Sequence, residues 1–432
     1  APGGWNVLLV SKTYWEGAPF QFRRAPEKAT VEPLLLRAGD RRESTGLWWT
    51  PAGTPVPRVA VIAMHPRVDF GRHYSFPRLL AAGIGCLGAN TRNPNNDTDT
   101  VHEQIILDVG ACIAHLRDRG VERIVLLGNS GGGSLFGFYQ AQAEAAPADR
   151  IALTPAGAPT RLAQFELSPA DAMIYVSAHK GEGRVINECI DPAVVDERDP
   201  HIRDAALDMY DPRNGFRPAP EWCEFDPAFV GRYRAAQLDR VRRLDATATA
   251  LAREASAAEA LHADPGFNAL SAEEQRRILL HEAFEPVMVV YRTMANLHYV
   301  DRHLDPSNRD YGSLLSDRPD LMNMALMGFA RICTPRAWLS TWSGLSSNAD
   351  LIRTLPQISA PSLVVNAGRD REIYPETDAR PIFEAVGASD RTFESFPNAR
   401  HYFEPDFGAK EAPDVEALMD LIVPWIQQRC AI

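Results

Sequence analysis

Nowhere in the 432 residues do 18 uncharged apolar residues run together, which excludes a membrane-spanning helix. Ala1-Pro2-Gly3-Gly4 has neither the basic start nor the apolar stretch of a secretion signal, so the expectation is a soluble, cytoplasmic chain. The first residue is not Met, which leaves room for a targeting segment already trimmed away. Cysteine is sparse: six residues at 86, 112, 189, 223, 333 and 430 with no Cys-x-x-Cys, which excludes a disulfide-stapled scaffold and predicts buried free thiols. Positive charge is short as well. With 45 basic against 56 acidic residues the formal charge is -11, which would repel a phosphate backbone and anionic lipid, so neither nucleic acid nor membrane is expected as a partner. Internal repeats and low-complexity tracts are absent.

Cofactor motifs are missing or out of context. Gly83-Ile84-Gly85-Cys86-Leu87-Gly88 fits a dinucleotide fingerprint with Asp108 twenty residues on, but Ala89 to Pro94 does not open the helix that would hold a pyrophosphate. Gly131 to Ser134 lacks a phosphate-loop lysine, and no His-Glu-x-x-His or paired-cysteine spacing points to zinc. No cofactor and no metal are expected.

What remains is 45% hydrophobic residues, enough to bury a full core. Short apolar runs, Val31 to Leu36, Thr45 to Trp49, Val59 to Met64, Ile84 to Leu87, Ile124 to Leu127 and Met173 to Val176, read as strands of a largely parallel sheet. Between them Val101 to Arg119 sets Ile105, Val109, Ile113 and Leu116 at helical spacing, and Gly120 ends that helix. After Ala178 the pattern changes to helical segments at Phe229 to His262, Ser271 to His281 and Pro286 to His298. Strand patterns return at Leu363 to Val365 and Thr392 to Phe396, and Val415 to Gln428 closes as an amphipathic helix interrupted by Pro424. The expected organisation is an N-terminal extension of unknown role over 1–29, an α/β core over 30–180 and 346–432, and a mostly helical insertion over 181–345.

Gly128-Asn129-Ser130-Gly131-Gly132 fits Gly-x-Ser-x-Gly between an apolar strand and a helical stretch, the context in which a serine is held on a sharp turn among small neighbours. A serine hydroxyl needs a base, and the base needs an acid to fix its tautomer. His401 lies just past the last strand, and Asp370 just past Leu363 to Val365; both are at carboxyl ends of strands, in the order serine, acid, histidine. Glu372, Glu376, Asp378 and Glu182 are rival acids, ranked below Asp370. His179, a few residues beyond Met173 to Val176, reaches the same sheet edge and is a candidate substrate contact. Trp338 and Trp342 share one face if helical, either lining a pocket or packing the insertion onto the core.

Strand, Ser130 turn, Asp370 and His401 in this order resemble the α/β-hydrolase superfamily over about residues 30–180 and 345–432. The resemblance implies an α/β-hydrolase fold with a mostly parallel sheet flanked by helices and a large helical cap inserted after the sixth strand. In that superfamily a His-Gly pair often follows the third strand and helps form the oxyanion hole. Here it is His65-Pro66-Arg67, and proline has no N–H, so the implied backbone donors are Arg67 and Gly131. Asn90-Thr91-Arg92-Asn93 departs from the Asp-x-Arg-Gly of many relatives and marks Arg92 as a structural loop anchor. The implied activity is a serine hydrolase of the carboxylic-ester type, acting on a bulky small-molecule ester or lactone through an acyl-enzyme. Carbon–carbon bond hydrolysis of diketo or ring-cleavage products is the alternative chemistry, and a non-enzymatic ligand-binding member the alternative class. A homo-oligomer stays open.

Overall fold

A computed structural model of the chain describes residues 29–430 except Asn95, Phe407, Gly408 and Lys410. The extension expected over 1–29 lies, but for Ala29, outside the described residues. Two strands open the fold, β1 (Ala29–Arg37) and β2 (Glu43–Pro51), followed by β3 (Val59–Ala63), helix α1 (Phe76–Ala81), β4 (Gly85–Ala89) and α2 (His102–Asp118). Next come β5 (Arg123–Asn129), α3 (Gly131–Glu144), β6 (Ala172–Val176) and α4 (Glu182–Cys189). The long helix α5 (Pro227–Ala263), α6 (Ala272–Ala283) and the two-residue strands β7 (Met288–Val289) and β8 (Ile332–Cys333) precede the return to the sheet in β9 (Ser362–Ala367), β10 (Arg391–Phe396) and the closing helix α7 (Pro413–Cys430).

The main sheet has eight strands in the order β1-β2-β4-β3-β5-β6-β9-β10. Only β2 runs against its neighbours, pairing antiparallel with both β1 and β4. The central strands β3 to β6 and β9 are buried along nearly their whole length, so they read as continuous apolar runs rather than alternating ones. Their side chains still sort by parity. Ala60, Ile62, Ile124, Leu126, Met173 and Val364 join one core with α2 and α3, while Val61, Val125, Leu127, Ile174 and Val365 join the other with α1 and α7.

Local chemistry sets the helix ends. Gly120, at φ 92°, turns the chain out of α2, and Asp226 accepts from the Ala228 and Phe229 N–H groups ahead of Pro227 at the start of α5. Ser271 and Glu274 form a reciprocal cap on α6. The helix expected over Pro286 to His298 does not form. Instead the chain makes β7 and a 3₁₀ turn at Leu297–Tyr299. Its backbone is satisfied by side chains from elsewhere: Asn323 accepts from Met294 N–H, Tyr210 donates to Met294 and Tyr233 to Ala295. From Val290 on, Met294, Ala295, Leu297 and Tyr299 are all buried, and tertiary bonds override the helical spacing of the segment.

Two smaller expectations hold. Arg92 is bound to Asp108 by backbone N–H (2.8 Å) and guanidinium (2.7 Å) and also reaches Asp40, a loop anchor. Gly88 lies in a strand, where a Cβ would meet the Phe70 and Gly71 carbonyls at 2.5 Å, so its part in the apparent fingerprint is close packing. All six cysteines are free and buried, and no helix among the described residues is long and apolar enough to cross a membrane.

Residues 177–361, between β6 and β9, do not fold apart from the core. Tyr233, Val241, Trp338 and Trp342 belong to the same apolar cluster as one face of the sheet. Trp338 and Trp342 sit in a π-helical turn (Trp338–Trp342), both fully buried. The Trp338 indole donates to Asp245 of α5 at 2.7 Å, and Ser343 donates to the other oxygen of that carboxylate at 2.9 Å. Trp338 is thus a joint between α5 and the turn. Trp338→Ala removes a large buried ring and orphans part of the Asp245 shell, and should cost about 3–5 kcal/mol in urea unfolding. A loss below about 1 kcal/mol would mean the joint carries little of the stability.

Candidate active site

Ser130 stands between β5 and α3 at φ 56°, ψ -129°, a conformation that L-residues avoid. Small neighbours make it accessible to the chain. A Cβ on Gly128 would meet Gly133 Cα at 2.6 Å, one on Gly133 would meet Ala178 Cβ at 2.5 Å, and one on Gly132 would strike the Met64 carbonyl. Backbone bonds hold the turn: Ser130 N–H to Val176 (3.2 Å), with His179 N–H (3.0 Å) and Gly133 N–H (3.1 Å) both donating to the Ser130 carbonyl. Asn129 adds a side-chain tie to Val176 at 2.9 Å while accepting from the Tyr74 hydroxyl at 2.9 Å.

Asp370 and His401 come together as expected. His401 Nδ1 lies 2.7 Å from Asp370 Oδ2, both buried, while the other oxygen of Asp370 accepts from the Glu372 N–H (2.8 Å) and the Ile373 N–H (3.2 Å). Burial pulls the His401 pKa down, but the charge and hydrogen bond of Asp370 outweigh it, and the net direction is up. His401 Nε2 has no hydrogen-bond partner among the described residues.

The serine hydroxyl itself touches a different histidine. Ser130 Oγ is 3.1 Å from His179 Nε2. His179 is flanked by Glu182 (3.8 Å from Nδ1) and Glu372 (3.6 Å from Nε2). Burial disfavours its charge, yet the two carboxylates beside it outweigh burial and push its pKa up to about 10. Glu182 and Glu372, though buried, both stay below the usual carboxylate range, Glu182 mainly through the charge of Arg67 and Glu372 mainly through His179 beside it. Glu182 and Glu372 therefore surround His179 instead of standing in for Asp370.

The loop after β3 supplies the remaining wall. His65, driven neutral by burial, accepts the Arg67 and Val68 N–H groups on Nδ1, each at 3.2 Å. The Arg67 N–H expected at an oxyanion is thus held by its own loop, while the Arg67 guanidinium approaches Glu182 at 3.4 Å and lies over the rings of Trp342 (5.3 Å) and Phe329 (5.5 Å). Gly131 opens α3 next to Ser130, and a Cβ there would collide with Glu182 and come within 2.8 Å of His65 Nε2. Of the two tryptophans only Trp342 reaches this wall by way of Arg67. Sequence reasoning missed the His65 side chain and the position of Glu372. The signal for Glu372 was local: an Asp that accepts the N–H two residues on turns that residue back toward its own site. His179, Glu372 and His401 also bring potential metal-ligand atoms within 4.8 Å of one another.

No family model matches this sequence, and no curated protein matches it. Solved structures resemble it over most of its length. The esterase domain of a Rhodothermus marinus protein is 10% identical, covering 92% of this chain and 98% of that one at a TM-score of 0.42. Brefeldin A esterase, described as a bacterial homologue of human hormone-sensitive lipase, is 11% identical over 97% of this chain and 82% of that one, at 0.45. The α/β hydrolase GrgF from Penicillium is 13% identical over 93% and 100%, at 0.44. The strand order speaks for itself: with an eight-stranded sheet in which β2 alone is antiparallel, and a serine on the sharp turn from β5 into α3, the chain has the α/β-hydrolase fold.

Proposed function

We propose that the chain is a serine hydrolase that cleaves a carboxylic ester or lactone of a fairly bulky organic substrate through an acyl-enzyme on Ser130. The observation that carries this reading is Ser130 held at φ 56° on the β5 to α3 turn, with the buried His401–Asp370 pair on the same sheet edge. Asp370 accepts the Nδ1 proton of His401, which leaves the Nε2 lone pair to take the Ser130 proton as the oxygen attacks the carbonyl carbon. The carbonyl oxygen gains the negative charge and is met by the Gly131 N–H at the positive end of α3, with the Arg67 N–H as second donor once His65 releases it. The His401 imidazolium then protonates the leaving alkoxide. Water repeats the sequence to free the acid. Residues 181–345 act as a cap that supplies pocket walls, Trp342 through Arg67 among them, and His179 contacts the substrate from its place beside Ser130.

An organophosphonate should label the protein covalently at Ser130, and Ser130→Ala should lose both labelling and ester turnover. Labelling that persists in the variant removes the nucleophile assignment. Turnover should yield an acid and an alcohol; a carbon-centred leaving fragment instead of an alcohol would move the reading to carbon–carbon hydrolysis.

The Ser130–His179 hydrogen bond favours a second assignment, with His179 as base, and pH separates the two. A base works only when deprotonated, so activity is lost as pH falls through its pKa. With His401 as base the acid limb of kcat should lie above the ordinary histidine value of 6.5, whereas with His179 activity should rise only toward about pH 10. Asp370→Asn should slow kcat by up to about 10⁴ through the wrong tautomer. Near-normal rates in that variant, with collapse in His179→Gln, would transfer the role of base to His179.

A further inference from the structure

We propose that His179, Glu372 and His401 form a binding site for one divalent transition-metal ion of the zinc class, and that filling it switches the serine chemistry off. Nothing in the linear spacing announces such a site, because the ligands come from the loops after β6, β9 and β10 and meet only at the sheet edge. His179 Nε2 and Glu372 Oε2 are 3.6 Å apart, His401 Nε2 and Glu372 Oε2 3.8 Å, and all three ligand atoms lie within 4.8 Å of one another. In a tetrahedral zinc site, with bonds of about 2.1 Å, neighbouring ligand atoms stand roughly 3.4 Å apart. Two edges are nearly made, and small side-chain rotations close the third. Ser130 Oγ, 3.1 Å from His179 Nε2, offers the fourth corner, as a bound water would.

The groups behind the ligands fit as well. Imidazoles that bind metal usually turn their other nitrogen to a carboxylate, which fixes the tautomer and raises basicity. Here His401 Nδ1 has Asp370 at 2.7 Å, and His179 Nδ1 faces Glu182 at 3.8 Å. His401 Nε2 and Glu372 Oε1 have no hydrogen-bond partner among the described residues, although their side chains are at most 3% exposed. Buried polar atoms are rarely left so, and an ion held by Glu372 Oε2 would satisfy His401 Nε2. Two imidazole nitrogens and one carboxylate oxygen suit zinc, cobalt or nickel; magnesium and calcium take oxygen ligands throughout. A small hollow lined by Lys180, Glu188, Tyr299 and Asp378 borders Glu372.

The inhibitory consequence rests on the proposed function: coordination would occupy the same Nε2 lone pair of His401 that accepts the Ser130 proton. Binding itself does not depend on that reading. Chelator-stripped full-length protein titrated with zinc should take up one equivalent, and cobalt should give the visible absorption of a four-coordinate site. Glu372→Gln and His179→Gln should each weaken zinc binding at least about tenfold, while Ser130→Ala still binds. X-ray absorption of the wild-type zinc complex should report two nitrogen ligands of imidazole type, a readout that needs no variant to fold. One equivalent of zinc should abolish phosphonate labelling, and chelator should restore it. Absence of stoichiometric binding, a zinc shell without imidazole, or faster turnover with the metal would each overturn the proposal. Metal-free protein that never labels at Ser130 would instead remove the hydrolase reading.

Discussion

Ser130 occupies a backbone conformation that costs on the order of 1–3 kcal/mol, and it persists only where the surroundings leave no alternative. Much of the fold supplies that constraint. Parallel pairing of β5 with β6 brings Val176 beside Asn129, and two hydrogen bonds to the Val176 carbonyl then close the turn. The chain beyond β6 bends back so that His179 N–H meets the Ser130 carbonyl, which binds the conformation of one loop to that of the other. Glycine is required at 128, 132 and 133 because backbone or Ala178 Cβ already fills the space a side chain would need. A serine on this turn is aimed at the sheet edge where the loops after β6, β9 and β10 arrive, and everything chemical in the site follows from that convergence.

Those loops deliver titratable side chains to a buried place. Arg67 and His179 stand against Glu182 and Glu372, and His401 against Asp370, so each buried carboxylate faces a basic group. The signs of the shifts define a working window. The raised pKa of His179 contributes stability that is full below 6.5 and fades as pH climbs toward about 10. The lowered Glu182 and Glu372 contribute above 4.5, and lose it as pH falls through their folded values. The cluster is therefore best satisfied from mildly acidic to mildly alkaline pH.

The sheet was legible because its evidence is local. Apolar runs such as Ile124 to Leu127, and glycines packed around one serine, carry their meaning in a few adjacent residues, and the carboxyl ends of strands place Asp370 and His401 without knowledge of distant contacts. The segment over 286–298 was not legible as non-helical, since its backbone is captured by Asn323, Tyr210 and Tyr233 from remote parts of the chain. The same holds for the charges. Glu182 and Glu372 read in sequence as substitutes for one acid, whereas in space both face His179, a relation that no spacing encodes.

The insertion between β6 and β9 is where chemistry and packing become hard to separate. Its first helix, α4, begins with Glu182, which faces His179 beside Ser130, and its π-helical turn ends in Trp342, on which the Arg67 guanidinium lies. Four residues earlier Trp338 anchors the same turn to Asp245 of α5. A change on α5 can thus reach Arg67 through a rigid five-residue turn, and Arg67 reaches Glu182 and His65. Such a chain lets the outer helices alter the walls around Ser130 while the backbone of its turn, locked by β5, β6 and α3, stays fixed.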